Sequence, residues 1–386
     1  MPLSIINRKT VSMKKWLIGS MICALSGVVF LAACKKKNSD DDNTPSNNFD
    51  RKAMLTNYAD NYIVPAYTVM ESSLQELKGR TEVFTSIPND QNYANVLNAW
   101  LEAYNVWQRV DMLEFGPAED VSLRMYINTY PVTTSKVEAN ITVGSYDLES
   151  FNNKDAQGFP AINYLLSNGD KATIMALYTT DSKAAARKKY LNDVVDKMLQ
   201  KVKGVKEAWG TYRTTFVNAT GTDAGSSTSK MVNAFVLYYE RYFRSGKIGL
   251  PVGAMTGVAK PELVEAYYTP DFSNQLAIIS LSAVMAFYEG RSFDGNAVGS
   301  SMKSYLKAIG TKDDNGALMA DVITTELTDV DTKLKALQVS LKDAVQNNRP
   351  QVLAIYDEAQ QVVPLIKVDM VSAFGISITY VDNDGD

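Results

Sequence analysis

The residues best suited to chemistry in this sequence are aromatic and acidic side chains that recur between positions 100 and 114. Trp100, Tyr104, Trp107, Asp111 and Glu114 are three or four positions apart, which places all five on one face of a helix. Such a face could form the wall of a ligand-binding cleft. The alternative is a core helix whose last turn emerges into water.

The chain has 386 residues and no histidine. This excludes a histidine general base, the Ser-His-Asp and Cys-His arrangements, and histidine ligation of zinc or haem. Carboxylates, lysine, tyrosine, serine and threonine remain for chemistry. The formal net charge of −4 gives no basic surface, so we exclude nucleic acid as a partner.

Residues 1–33 have the pattern of a secretory signal peptide, with Met-Lys-Lys at positions 13–15 followed by an apolar run from Trp16 to Ala33. The segment Leu-Ala-Ala-Cys that ends at Cys34 resembles a bacterial lipobox, which implies cleavage before Cys34 and lipidation of that residue. The alternative is a membrane anchor, because a run of about 18 residues is near the lower limit for a span. Cys23 would leave with the leader, so the mature chain could form no disulfide.

Residues 34–49 are polar and poor in apolar side chains, so we predict a flexible tether after the lipidated cysteine. Their acidic run resembles the surface-export signals of Bacteroidetes lipoproteins, although a solvated spacer would have the same composition. We therefore predict an outer-membrane lipoprotein of the cell envelope that faces either the periplasm or the cell surface. Its membrane contact would be the lipid anchor.

Helical periodicity dominates the rest of the chain and predicts an all-α fold. The small polar residues of 218–229 predict a linker between an N-terminal helical bundle, 50–217, and a C-terminal bundle, 230–386. Pro65 and Pro364 should each kink a helix. The predicted helices are 50–77, 89–115, 134–144, a long helix from 181, 230–245, 273–291, 297–309, 316–346 and 350–374.

The segment Gly158-Phe159-Pro160-Ala161-Ile162-Asn163-Tyr164-Leu165-Leu166 resembles the Gly-x-His-x-x-Glu segment of the imelysin family. Pro160 stands at the family's histidine position and Asn163 at its glutamate position. Proline suits the first turn of a helix, so this exchange need not break the fold. Asn163 keeps a hydrogen-bonding head but cannot act as a base or as an anionic metal ligand.

Other segments continue the resemblance in the same order along the chain. They are Trp100, Trp107 and Asp111 with Phe115-Gly116-Pro117, then Tyr130-Pro131, and then Lys247 before Pro251. Tyr104 and Glu114 depart from the family, because basic residues are usual at both positions. The resemblance implies two helical bundles side by side with a cleft between them. It also implies a bacterial envelope protein, often linked to iron uptake, in a family first described as metallopeptidases.

Our leading hypothesis is a lipid-anchored binding protein without catalytic residues, whose interdomain cleft takes a small ligand, a peptide or a metal complex. Iron, haem or a divalent cation could be that ligand. Lys247 would contact an anion in the cleft, or else only offset the dipole of a helix end. The candidate ligand-binding residues are Trp107, Asp111, Glu114, Tyr130, Asn163 and Lys247.

Two other functions fit the same sequence. One is a hydrolase with a metal held by carboxylates alone, for which Asp111, Glu114, Asp147 and Glu149 could supply oxygen ligands. The other is a structural subunit that scaffolds an outer-membrane uptake complex.

Overall fold

The computed structural model describes residues 49–381. The predicted leader, Cys34, the tether up to residue 48 and the acidic tail 382–386 lie outside the described residues. Within the described part, no helix combines the length and the apolar character needed to cross a lipid bilayer.

The all-α prediction is confirmed. No β-strand forms between residues 49 and 381, where only two isolated antiparallel bridges occur. The α-helices are α1 (Arg51–Asn57), α2 (Val64–Ser86), α3 (Asp90–Val110), α4 (Pro117–Asp120), α5 (Leu123–Ile127), α6 (Thr134–Val143), α7 (Gly158–Ser167), α8 (Lys171–Thr179), α9 (Ala184–Asn218), α10 (Ser227–Leu237), α11 (Leu250–Val252), α12 (Ser273–Glu289), α13 (Met302–Ile309), α14 (Met319–Lys335), α15 (Leu341–Asn347), α16 (Arg349–Pro364) and α17 (Val371–Ala373).

Two prolines lie next to π-helical turns. The segment Tyr58–Ile63 is π-helical and leads directly into α2, whose second residue is Pro65. Pro364 ends α16 and is followed by the π-helical segment Leu365–Met370. Proline lacks a backbone N–H and crowds the carbonyl of the preceding turn, and each of these prolines lies where the α-helical hydrogen-bond pattern changes. A third π-helical segment, Tyr238–Gly249, follows α10.

Two predicted helices begin or end elsewhere because serine side chains cap new ones. The predicted helix 297–309 starts only at Met302, where Ser301 and Ser304 form a capping box. The predicted helix 316–346 is two helices, α14 and α15, since the Ser340 side chain accepts a hydrogen bond from the Asp343 N–H and starts α15.

Helix α2 packs against α3 and α9, while α14 packs against α12 and α16. The predicted linker falls between α9 and α10, which end and begin at Asn218 and Ser227. Helices on the two sides of this segment also touch, since α12 packs against α3. The division into two bundles stays a prediction.

Candidate functional site

The aromatic residues of α3 form part of the core. Trp100 and Trp107 are each 1% exposed and Tyr104 is fully buried. The Trp100 indole N–H donates to the Phe159 carbonyl at 3.2 Å, and Tyr104 stacks on the Phe159 ring at 4.4 Å. This face of α3 therefore supports α7, and it does not line an open cleft.

Asp111 and Glu114 lie just after α3, in and beyond the 3-10 turn Asp111–Leu113. Asp111 is 3% exposed, whereas Glu114, the last residue of the stripe, is half-buried. The Asp111 carboxylate pairs with the Arg124 Nε at 2.5 Å, and Glu114 accepts the Arg124 backbone N–H at 3.1 Å. The Arg124 guanidinium also lies 3.7 Å from the centre of the Tyr242 ring. Sequence reasoning missed Arg124, because it belongs to a short helix with no periodic pattern.

Lys247 is 2% exposed and lies in the last turn of the π-helical segment Tyr238–Gly249, which leads directly into α11. Its ammonium donates to the Gln108 side-chain oxygen at 2.6 Å and forms a short ion pair with Glu265. The anion that Lys247 contacts is therefore a carboxylate of its own chain. Sequence reasoning also missed Glu265.

The Glu265 carboxylate accepts hydrogen bonds from residues on both sides of the predicted linker. Besides Lys247, it accepts the amides of Gln108 at 3.1 Å and Asn128 at 2.8 Å. Burial alone would raise the pKa of Glu265, but Lys247 and these amides hold it below its usual value. We call Asp111, Glu114, Arg124, Lys247 and Glu265 the buried ionic cluster.

The pKa values of Asp111 and Glu114, the two acids nearest Arg124, are raised, whereas that of Glu265 is lowered. Burial raises the pKa of Glu114 to about 7, although Arg124 opposes this rise. Burial also raises the pKa of Asp111, again against the attraction of Arg124 and Lys247. One arginine shared by two carboxylates does not fully offset their loss of hydration.

A cavity of about 280 Å³ opens beside this cluster. Tyr130 and Asn163 line it, while Trp107, Asp111, Glu114 and Lys247 do not. Pro160 also lines it, so both exchanged positions of the Gly158–Leu166 segment face this space. We call it the tyrosine pocket, and its lining residues are Tyr130, Pro131, Val132, Thr134, Pro160, Asn163, Glu262, Val264, Ala266, Tyr267 and Tyr268.

Asn163 holds the opposite wall of the tyrosine pocket in place. Its side-chain oxygen accepts the Tyr268 backbone N–H at 3.0 Å, and its amide donates to the Thr269 hydroxyl at 2.9 Å. Asn163 is 2% exposed. Its polar atoms therefore fix a loop of the protein in position.

Gly158 sets the approach of α7 to the preceding chain. Its φ is +74°, and a Cβ added there would lie 2.3 Å from the Ile127 carbonyl oxygen. Only glycine can occupy this position without displacing backbone. The start of α7 is thus fixed by contact between two stretches of main chain.

The far wall of the pocket, residues 262–268, was not predicted. Ala266 has a φ of +57°, which is rare for a residue with a side chain. Val264 and Ala266 are buried, whereas Tyr267 and Tyr268 are half-buried and Glu262 is exposed. The adjacent tyrosines in a stretch without helical period were the one signal that could have found this wall.

The four carboxylates of the hydrolase hypothesis do not come together. Asp111 pairs with Arg124, whereas Glu149 binds Lys197 at 2.8 Å and Lys201 at 2.7 Å. These two lysines lower the pKa of Glu149 to about 2. Among residues 49–381, the acids close enough to share an ion are instead Glu326, Asp329 and Glu358.

The tyrosine pocket also fits the suggested cofactors poorly. It offers a metal ion one carboxylate, Glu262, and burial raises the pKa of Tyr130 well above its usual value, which disfavours phenolate ligation. Its volume lies below the range of about 300 to 1,000 Å³ typical of sites for drug-sized ligands, so haem is too large for it.

The fold is similar to that of known proteins. An imelysin-like protein from Psychrobacter arcticum has a similar structure, with a TM-score of 0.65 and 20% identity over 86% of this chain and 97% of that one. A protein from Parabacteroides distasonis, described as a putative iron-regulated protein A precursor, matches with a TM-score of 0.68 and 17% identity over 84% and 95% of the two chains. Comparison with curated proteins found no significant match.

The family model for imelysin, which carries a peptidase label, matches residues 63–363. The matched region includes the Gly158–Leu166 segment, the tyrosine pocket and the buried ionic cluster. It covers well over half of the sequence, so this chain belongs to the imelysin family.

Proposed function

We propose that this protein is a non-catalytic binding protein of the bacterial cell envelope, lipid-anchored at Cys34, which takes a small ligand into the tyrosine pocket. The observation that carries the proposal is the pair of residues at the family's ionisable positions. Pro160 has no side-chain proton to transfer, and Asn163 is engaged with the Tyr268 loop. Both nevertheless line a cavity of about 280 Å³.

The absence of an available base supports the same conclusion. A general base must reach the proton that it abstracts in a plausible substrate pose. Three members of the buried ionic cluster are at most 3% exposed, namely Lys247, Glu265 and Asp111. Lys247 and Glu265 bind each other, and Asp111 binds Arg124. Glu262 is the carboxylate in the pocket lining, and the sequence has no histidine that could pair with it.

The Parabacteroides relative is described as iron-regulated, and for this chain we extend that description only to a role in nutrient uptake. A lipid-anchored binding protein would hand its ligand to an outer-membrane uptake component, which is the partner that we propose. The tyrosine pocket fits an organic ligand better than a bare metal ion, for the reasons given above.

A thermal-shift screen of the purified mature chain tests the binding role. Iron salts, haem, siderophores, short peptides and small organic ions form the panel. A true ligand raises the melting temperature further as its concentration rises. Thr134→Trp, which places a large ring in the pocket, should abolish the shift. Ser135→Trp, at the exposed neighbouring position of the same helix, should preserve it.

Two results would overturn this proposal. One is a ligand that stabilises wild type and Thr134→Trp equally, since the tyrosine pocket would then not be its site. The other is peptide cleavage by the purified chain that is lost in Glu262→Gln, since the pocket would then be catalytic.

A further inference from the structure

The lining of the tyrosine pocket has a distinctive chemistry. Three tyrosines contribute to it, Tyr130, Tyr267 and Tyr268, together with one carboxylate, Glu262. No lysine or arginine is among its lining residues. Aromatic faces attract cations through their negative electrostatic potential, and a carboxylate adds direct attraction. Both contributions disfavour an anion.

The protein already places an ammonium on one of these rings. The Lys342 Nζ lies 3.9 Å from the centre of the Tyr267 ring, and Lys342 is not part of the pocket lining. Lys342 therefore occupies one face of the Tyr267 ring, which shows that this ring attracts a charged nitrogen in the folded protein. A ligand in the pocket would approach the same group of tyrosines from the cavity.

The rings are held in fixed orientations, which lowers the entropy cost of binding. Tyr268 makes edge-to-face contacts with Tyr267 at 5.1 Å and with Tyr164 at 5.4 Å. The two hydrogen bonds of Asn163 fix the backbone of the same loop. The aromatic wall is therefore preorganised before any ligand arrives.

Tyr130 lines the pocket and also lies beside the buried ionic cluster. Burial raises the pKa of its hydroxyl well above the usual value, and the nearby Glu265 and Asp111 carboxylates raise it further. The hydroxyl therefore stays protonated, so Tyr130 adds no negative charge to the lining. Lys247 and Arg124 balance the two carboxylates behind it, so the rings and Glu262 supply most of the attraction.

We propose that the ligand of the tyrosine pocket is a small organic cation, a primary or quaternary ammonium compound held against the tyrosine rings with its charge toward Glu262. This inference rests on the proposed binding function and specifies the ligand class of the same site. The volume of about 280 Å³ limits the ligand to a compact molecule.

Isothermal titration calorimetry with two molecules of the same shape tests the charge requirement. Choline carries a quaternary ammonium, and 3,3-dimethylbutan-1-ol replaces its nitrogen by carbon. We expect choline to bind wild type at least tenfold more tightly than the neutral alcohol. Phenethylammonium serves as the primary-ammonium probe, and acetate as the anion.

Matched variants locate the binding. Glu262→Gln should weaken choline binding severalfold and leave the neutral alcohol unchanged. Glu102→Gln removes an exposed carboxylate on α3 that does not line the pocket, and it should have no effect. Thr134→Trp should abolish binding of every probe.

The outcomes separate the ligand class from the binding function. If acetate or the neutral alcohol binds as tightly as choline, and Thr134→Trp abolishes this binding, the pocket binds ligands but the cation inference is wrong. Failure of both ammonium probes to bind at millimolar concentration also overturns the inference, while the thermal-shift screen still decides the binding function. Choline binding that survives Thr134→Trp contradicts it as well.

Discussion

The buried ionic cluster and the tyrosine pocket are adjacent regions that both contain glutamate, yet they differ in what their polar groups do. In the cluster, Lys247 forms an ion pair with Glu265, and Arg124 forms one with Asp111. In the pocket, the carboxylate of Glu262 is exposed and the tyrosine faces border open space. Charge alone therefore does not mark a binding site, because a charge that is paired inside the protein is not offered to a ligand.

The same contrast separates stability from recognition. Breaking a buried ion pair leaves an unpaired charge in a poorly solvated place, which costs much more than the pair itself contributes. Removing an exposed charge changes stability little. We therefore expect substitutions in the cluster to change stability strongly, and substitutions at the pocket's Glu262 to change mainly ligand binding.

The largest expected effect comes from Lys247→Met, which leaves Glu265 buried without its cation. We expect a loss of about 3 to 5 kcal/mol in the free energy of unfolding, measured by urea denaturation. Lys247→Met combined with Glu265→Gln should recover much of this loss, because neither charge then remains buried. A single variant that loses less than about 1 kcal/mol would show that the pair is not an essential part of the core.

Gly158→Ala tests the backbone contact at the start of α7. The positive φ and the close Ile127 carbonyl should together cost about 2 to 4 kcal/mol of stability. Gly204→Ala is the matched control, because this helical glycine in α9 has no atom within 4 Å of an added Cβ. That variant should be unchanged or more stable by up to about 1 kcal/mol. Equal effects at the two positions would contradict the assigned contact.

The raised pKa of Glu114 predicts that the stability of the folded protein depends on pH. Its pKa is about 7 in the folded protein against 4.5 as the ordinary value, so the folded state binds the extra proton between these limits. The stability that protonated Glu114 contributes is therefore fully present below pH 4.5, and it is lost as the pH rises through 7. The loss amounts to up to about 3 kcal/mol.

Glu114→Gln should flatten the stability curve over that window, as urea denaturation at a series of pH values would show. The variant can still accept the Arg124 N–H with its amide oxygen. A Glu114→Gln curve that falls as steeply as wild type would contradict the assignment.

Asn163→Ala should have an effect on stability between those of Lys247→Met and Glu262→Gln, because it removes two hydrogen bonds that support the pocket wall. We expect a stability loss of about 1 to 3 kcal/mol and weaker ligand binding through a looser Tyr268 loop. Asn168→Ala, at the exposed residue after α7, should change neither quantity appreciably. Unchanged binding in Asn163→Ala would show that the loop does not need this support.

The smallest effect on stability belongs to Glu262→Gln, which should stay within about 0.5 kcal/mol of wild type. The same protein should show the severalfold loss of choline affinity described above. A large destabilisation here would mean that Glu262 is part of the cluster's internal pairing, and the distinction between the two regions would fail.

The sequence predicted the long helices well, because α3, α9 and α14 repeat apolar residues at helical spacing. It missed the breaks before α13 and α15, where single serine side chains decide the start. It placed Asp111 in helix 89–115, whereas α3 ends at Val110 and Asp111 begins a 3-10 turn. It could not show the burial of Asp111, because the partner Arg124 comes from a separate short helix. The pairing of Lys247 with Glu265 also depends on tertiary structure, since 18 positions separate them.

The candidate site was predicted in part. Tyr130 and Asn163 line the pocket, whereas Trp107, Asp111, Glu114 and Lys247 are structural neighbours. Residues 262–268 form the second wall and lack the periodicity by which sequence patterns reveal helices. A positive φ at Ala266 has no signature in the sequence.

The contact of Gly158 with the Ile127 carbonyl has a consequence for how this family diversifies. The helix that carries positions 160 and 163 is seated by main-chain atoms, which stay the same whatever side chains those positions hold. Side chains at positions 160 and 163 can therefore be substituted while the main-chain contact that seats the start of α7 is kept. The chemistry of this pocket wall can change on the same backbone, provided that Gly158 remains.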